Sequence, residues 1–166
     1  MHPAPQLAQV NLAYMRAPQD DPLMADFVAQ LDTINALAER SPGFVWRYIA
    51  DTRIASDREF ADPNVLFNMS VWDSVEALHR FSYRTDHAKV FAARAHWFEQ
   101  WKDQVRQVKE LGDGTPGVCL WWIAAGHRPT PDEAKARLRL LGARGPGPDA
   151  FTFKQPFAPD GVPIER

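Results

Sequence analysis

Apolar and polar residues alternate over residues 6–14 (QLAQVNLAY), the period-two rhythm of a half-buried strand. Asp20-Asp21-Pro22 then supplies a helix cap with proline in the first turn. Leu23, Phe27, Leu31, Ile34 and Ala38 recur at helical spacing, predicting an amphipathic helix over 22–40 that Ser41-Pro42-Gly43 stops. Aromatic and β-branched residues predict a second strand over 44–50 and a third over 65–72, joined by a polar connection over 51–63. Asp73 or Ser74 caps a helix over about 74–83, and Thr85-Asp86 caps another over about 86–110. A glycine-rich turn over 112–117 leads to a fourth strand, 118–125. Thr130-Pro131-Asp132-Glu133 reads as a capping box that opens a helix to about Leu141. The tail beyond Gly142 is rich in glycine and proline, with 151–153 the stretch suited to pair as a short strand.

The order β-α-β-β-α-β predicts an α+β fold, the ferredoxin-like four-stranded antiparallel sheet with helices on one face. Residues 1–166 read as one such domain, carrying an appended helix and tail from about 130. Its second face would be apolar: Phe44, Trp46 and Tyr48 alternate on strand two, and Val65, Phe67, Met69 and Val71 on strand three. A patch of that size is costly in water, so a homodimer with the sheets face to face is expected.

Composition narrows the classes. Apolar residues make up 45% of the chain and the net charge is −2 with no basic stripe, so no nucleic-acid partner is expected. No positive segment followed by an apolar one opens the chain, no apolar run approaches a membrane span, and Cys119 is the lone cysteine. These features predict a cytoplasmic protein in which Cys119 is an inert buried thiol. Phosphate loops, nucleophile elbows and paired-carboxylate motifs do not occur, which removes nucleotide-dependent and serine-hydrolase chemistry.

Candidate chemistry concentrates between Asn68 and Trp101, where His79, His87, Arg94 and His96 are set among Phe81, Trp97, Phe98 and Trp101. Ionisable groups on an aromatic helix face predict a pocket for a small hydrophobic or aromatic molecule. Alternate positions on the strands could floor it or face solvent: Gln9 and Asn11, Arg47, Asn68 and Ser70 with Trp72, and Trp121. His87 is either a general base near neutral pH or a helix-start residue holding the preceding turn through a backbone bond. Arg94 is either an anchor for a carboxylate or phenolate, or a stem along apolar surface with its head in water. His79, Tyr83 and His87 would stack only on an unbroken helix, and Thr85-Asp86 predicts a break, so no metal site is expected.

Segments such as AQVNLAYMRAPQDDPLMADF, NMSVWDSVEALHRFSYRTDHAKVF, HWFEQW, LWWIAAGHRPTPDEA and AFTFKQPF resemble the bacterial family called domain of unknown function 3291. That resemblance runs nearly end to end and implies a branch of the dimeric α/β-barrel proteins. These include cofactor-free monooxygenases of phenols, haem-degrading enzymes, and small lyases and isomerases. Haem-degrading members use an asparagine on the first strand, a tryptophan after the third and a histidine on the next helix. Asn11, Trp72 and His87 match those types here, with extra residues and a helix break between the last two. The implied activity is monooxygenase-like or proton-transferring and independent of any cofactor. His87 is then the base, Asn11 and Trp72 oxyanion donors, and Arg47, Asn68, Arg94 and Trp121 substrate contacts. A haem-binding or haem-degrading protein and a non-catalytic dimeric binding module are the alternatives.

Overall fold

Strand β1 (Gln6–Met15) is the axis of the sheet. The computed structural model describes residues 2–50, 59–105 and 108–165, so most of the connection expected over 51–63 lies outside the described residues. On one side β1 pairs antiparallel with β3 (Val65–Trp72), from Leu7 opposite Trp72 to Tyr14 opposite Val65. β2 (Phe44–Arg47) lies beyond β3. The other side of β1 is shared: the two-residue β4 (Phe98–Glu99) pairs Tyr14 and Met15, and β5 (Val118–Ile123) pairs residues 6–11. The antiparallel sheet thus has five strands rather than four.

A ten-residue central strand explains the extra one. β5 covers β1 only as far as Asn11, so residues 12–15 need other partners for their backbone groups. Gly117 receives the Leu12 amide (2.6 Å), β4 pairs Tyr14 and Met15, and the Trp97 carbonyl receives the Arg16 amide (2.8 Å). Pulling residues 97–99 onto this edge breaks the long helix expected over 86–110. In its place stand α3 (His87–Ala92), a 3-10 turn (Arg94–His96), β4 and α4 (Trp101–Gln104).

Two helices sit where the periodicity puts them. Asp21 caps a 3-10 turn (Pro22–Met24) by accepting from the Leu23 amide (2.8 Å), and α1 (Ala25–Arg40) follows. Ser74 caps α2 (Val75–Arg84), accepting from the Ala77 amide (3.1 Å). Leu7, Trp72, Val75, Leu78 and Phe81 are buried where α2 meets the sheet. Met15, Met24, Phe27 and Trp97 form a separate cluster near the start of α1.

The sheet's second face is not bare. α5 (Pro131–Arg144) lies across it, with Ala134, Leu138 and Leu141 packed against Val10, Met69, Val71, Cys119 and Trp121, and Val108 and Leu111 extending the layer. Helices therefore lie on both faces, with Trp46, Tyr48 and Phe67 only half-buried at the edge of the α5 layer. Phe44 also leaves that face. A bulge between Phe44 and Trp46 turns Phe44 toward Trp72 on the opposite side, ring centroids 5.4 Å apart. Burial pushes the Cys119 thiol up to about 12, so it is protonated at neutral pH.

The tail packs against β5. Phe151 and Leu120 exchange backbone bonds of 2.8 and 2.9 Å at the free edge of β5, and the Phe157 carbonyl accepts from the Trp122 indole (2.7 Å).

One electrostatic latch holds α5. Thr130 accepts from the Glu133 amide (3.2 Å), while the Glu133 carboxylate turns to Trp121 Nε1 (3.0 Å) and His127 Nε2 (2.7 Å). Burial acts to raise the Glu133 pKa, but the bonds from His127 and Trp121 and the charges of His127 and Arg137 outweigh it, leaving it below 4.5. A carboxyl depressed by folding stabilises the folded state above its unfolded pKa and loses that contribution as pH falls through its folded value. Thermal melts from pH 6 down to pH 3 should therefore show Glu133→Gln losing less stability than the parent; parallel curves would contradict the latch.

Candidate functional site

Between the sheet and α1–α3 lies a cleft of about 860 Å³. Its apolar wall is the stripe of α1. Phe27, Leu31, Ile34 and Ala38 border the cleft, while Leu23, in the preceding turn, is 51% exposed. The amphipathic pattern of this helix thus marks a pocket lining more than a solid core.

The floor is polar because β1 and β3 turn Gln9, Asn11, Asn68 and Ser70 to the same side. Gln9 bridges Asn68 and Ser70 with side-chain bonds of 2.8 Å each. Asn11 lies opposite Asn68 in register. Asn68 is exposed although it belongs to a strand paired on both sides, so the cleft opens the sheet to solvent there. Arg47 borders the floor from β2, its Nε 2.7 Å from the Glu39 carboxylate of α1.

The Trp72 indole is fully buried, and its N–H donates to Ser70 Oγ (2.9 Å). A donor already engaged cannot serve an oxyanion. Trp72 instead fixes the Ser70 hydroxyl and supports an aromatic wall, stacked on Phe81 at 5.1 Å. Trp121 lies on the other face, fully buried beside α5, so it is not a substrate contact.

His87 borders the cleft where this aromatic wall ends, its ring 4.9 Å from Phe81. Thr85 sets it there by closing α2 and opening α3: its hydroxyl donates to the Phe81 carbonyl (2.5 Å) and accepts from the His87 amide (3.3 Å). His87 Nδ1 is 3.1 Å from the Ser82 carbonyl, which can only accept. Nδ1 therefore carries a proton, and the neutral ring keeps its lone pair on Nε2. The backbone bond and a base role are compatible, since the one sets the tautomer that the other needs.

Asn11, Trp72, His87, Arg47, Asn68 and Arg94 all border this one cleft. The sequence reading missed Arg16, Gln30 and Lys102, which also border it. Arg16 directly follows β1, past the alternation that marks a floor residue, and Lys102 sits where an unbroken helix was expected. Among the described residues, no group of three histidine, cysteine, aspartate or glutamate side chains converges as a metal site.

A family model described as "Domain of unknown function (DUF3291)" matches residues 6–166. The chain belongs to this family. In this DUF3291 chain the match takes in α5 and the tail together with the sheet and cleft. Among solved structures the chain is similar to SnoaB, described as a cofactor-independent oxygenase from Streptomyces nogalater. Identity is 20% over 58% of this DUF3291 chain and 86% of that one, with a TM-score of 0.43. No curated protein matches. No helix among the described residues is long and apolar enough to cross a membrane.

Proposed function

We propose that the cleft binds a small hydrophobic, aromatic molecule bearing an acidic hydroxyl, and that His87 removes its proton. The observation that carries this reading is the position of His87. Its Nδ1 faces the Ser82 carbonyl, and its ring packs on Phe81 and borders the same ligand-sized cleft as Asn11 and Asn68. An electron-rich phenol must lose its proton before it can pass an electron to dioxygen, which makes deprotonation the step that needs the protein. Nε2 supplies the base, and the Asn11 and Asn68 amides with the Arg47 guanidinium supply donors for the phenolate. The chemistry then needs no cofactor.

Phenols, naphthols and quinols should be screened for turnover by absorbance, with an oxygen electrode run in parallel. A turned-over substrate should lose about 10²–10⁴-fold in rate in His87→Ala, with unchanged circular dichroism. Equal rates in parent and variant would remove His87 as the base, and binding without turnover would make the cleft a ligand-binding module. Haem, the alternative, would be held in the cleft by His87. A Soret shift on haem addition that His87→Ala abolishes would replace the proton-transfer reading.

A further inference from the structure

The charges around the cleft do not match those of the chain. The protein carries a net charge of −2, yet the charged side chains bordering the cleft are Arg16, Arg47, Arg94 and Lys102 against Glu99. Two of these are satisfied by neighbours. Glu39 balances Arg47 at 2.7 Å, and Glu99 accepts from Gln104 (2.8 Å) opposite Tyr14, whose ring packs on the α5 face.

Arg16 is different. Its Nε donates to the Ala95 carbonyl (3.0 Å), which holds it beside the turn bearing Arg94, and no carboxylate of a described residue pairs with it. Its two terminal nitrogens carry four further N–H donors. Next to it the cleft is lined by Phe27 and Phe98, whose rings meet edge to face at 5.0 Å. An exposed guanidinium at the end of an aromatic groove, with no carboxylate of a described residue beside it, suits a planar anion. Side-chain amides at Asn11 and Asn68 can donate or accept, so they do not set the sign of a ligand. A guanidinium only donates and is always charged, so it does.

We infer that the ligand of this cleft is an aromatic organic acid, seated with its carboxylate at Arg16 and its ring system running toward Asn11 and Asn68. At about 3.3 Å per residue along β1, Arg16 lies roughly 16 Å from Asn11. With the reach of the arginine subtracted, that length suits two or three fused or linked rings. This inference rests on the cleft being a binding site and adds to it the charge and orientation of the occupant.

Two fluorescent probes with one aromatic body separate the cases: 8-anilinonaphthalene-1-sulfonate, whose singly charged sulfonate oxygens stand in for those of a carboxylate, and neutral N-phenyl-1-naphthylamine. The sulfonate should bind about tenfold more tightly, the worth of one charge-assisted contact. Arg16→Gln should abolish that preference with the neutral probe unaffected, and Arg16→Lys should retain most of it. Ile34→Trp or Leu31→Trp, which fill the α1 wall, should weaken both probes. If both probes bind equally and the tryptophan variants weaken both, the cleft stands and the acid inference is overturned. A preference surviving in Arg16→Gln overturns it as well. If neither probe binds, or filling the wall changes nothing, the cleft reading fails and takes the inference with it.

Discussion

Replacing Trp121 with alanine should destabilise the protein by about 3–5 kcal/mol, the cost of truncating a large core aromatic. The indole is fully buried between the sheet and α5, and its N–H donates to Glu133 (3.0 Å) in the latch that seats the helix. Two losses therefore coincide: apolar contact with the α5 layer, and a partner for a half-buried carboxylate. Trp121→Phe separates them, keeping most of the volume and removing only the donor, and should cost roughly 1–3 kcal/mol. Urea denaturation measures both. Probe binding in the cleft should persist in each variant while the protein is folded, since Trp121 faces away from it. An unchanged midpoint for Trp121→Ala would mean that α5 does not bear on this face, and lost binding would put the residue back in the site.

Gly43→Ala should have a comparable effect through backbone and packing together. Gly43 has φ +86°, in the left-handed region that L side chains rarely adopt, and a Cβ there would stand 2.5 Å from the Ala77 Cβ of α2. Conformational strain of about 1–2 kcal/mol and overpacking of about 1–3 kcal/mol sum to roughly 2–5. The α2 segment would have to move outward, and Phe81, Ser82 and the His87 tautomer bond depend on where it lies. Lower melting temperature and weaker probe binding should therefore appear together. Ala77→Gly combined with Gly43→Ala removes the clash but not the strained φ, so the double variant should recover part of both losses. No recovery would locate the damage in the turn alone.

Much of the fold was legible because it follows from local rules. Alternation over 6–14 gave β1, the capping residues Asp21, Ser74 and Thr130 start their elements, and Thr85 interrupts the helical run before His87. The polar floor was half legible. Alternation put Gln9 with Asn11, and Asn68 with Ser70, but only register shows that these pairs sit side by side. Arg16 was invisible because a residue just past a strand's end has no face assigned to it by period.

The sequence by itself determined β1, β3, β5, α1, α2 and α5, their order and the identity of the groups available for chemistry, since capping, periodicity and turn preference act between residues close along the chain. Tertiary structure alone decided three things. Unpaired backbone on β1 recruited residues 97–99 as a strand, against their helical neighbours. Much of the apolar face found its cover in α5, because the chain continues past β5 into a helix with apolar residues to bury. The Trp72 N–H went to Ser70 and the Trp121 N–H to Glu133, while His87 Nδ1 went to the Ser82 carbonyl. Each outcome turns on which buried donor meets which acceptor, and such distances arise only when segments far apart in sequence pack together.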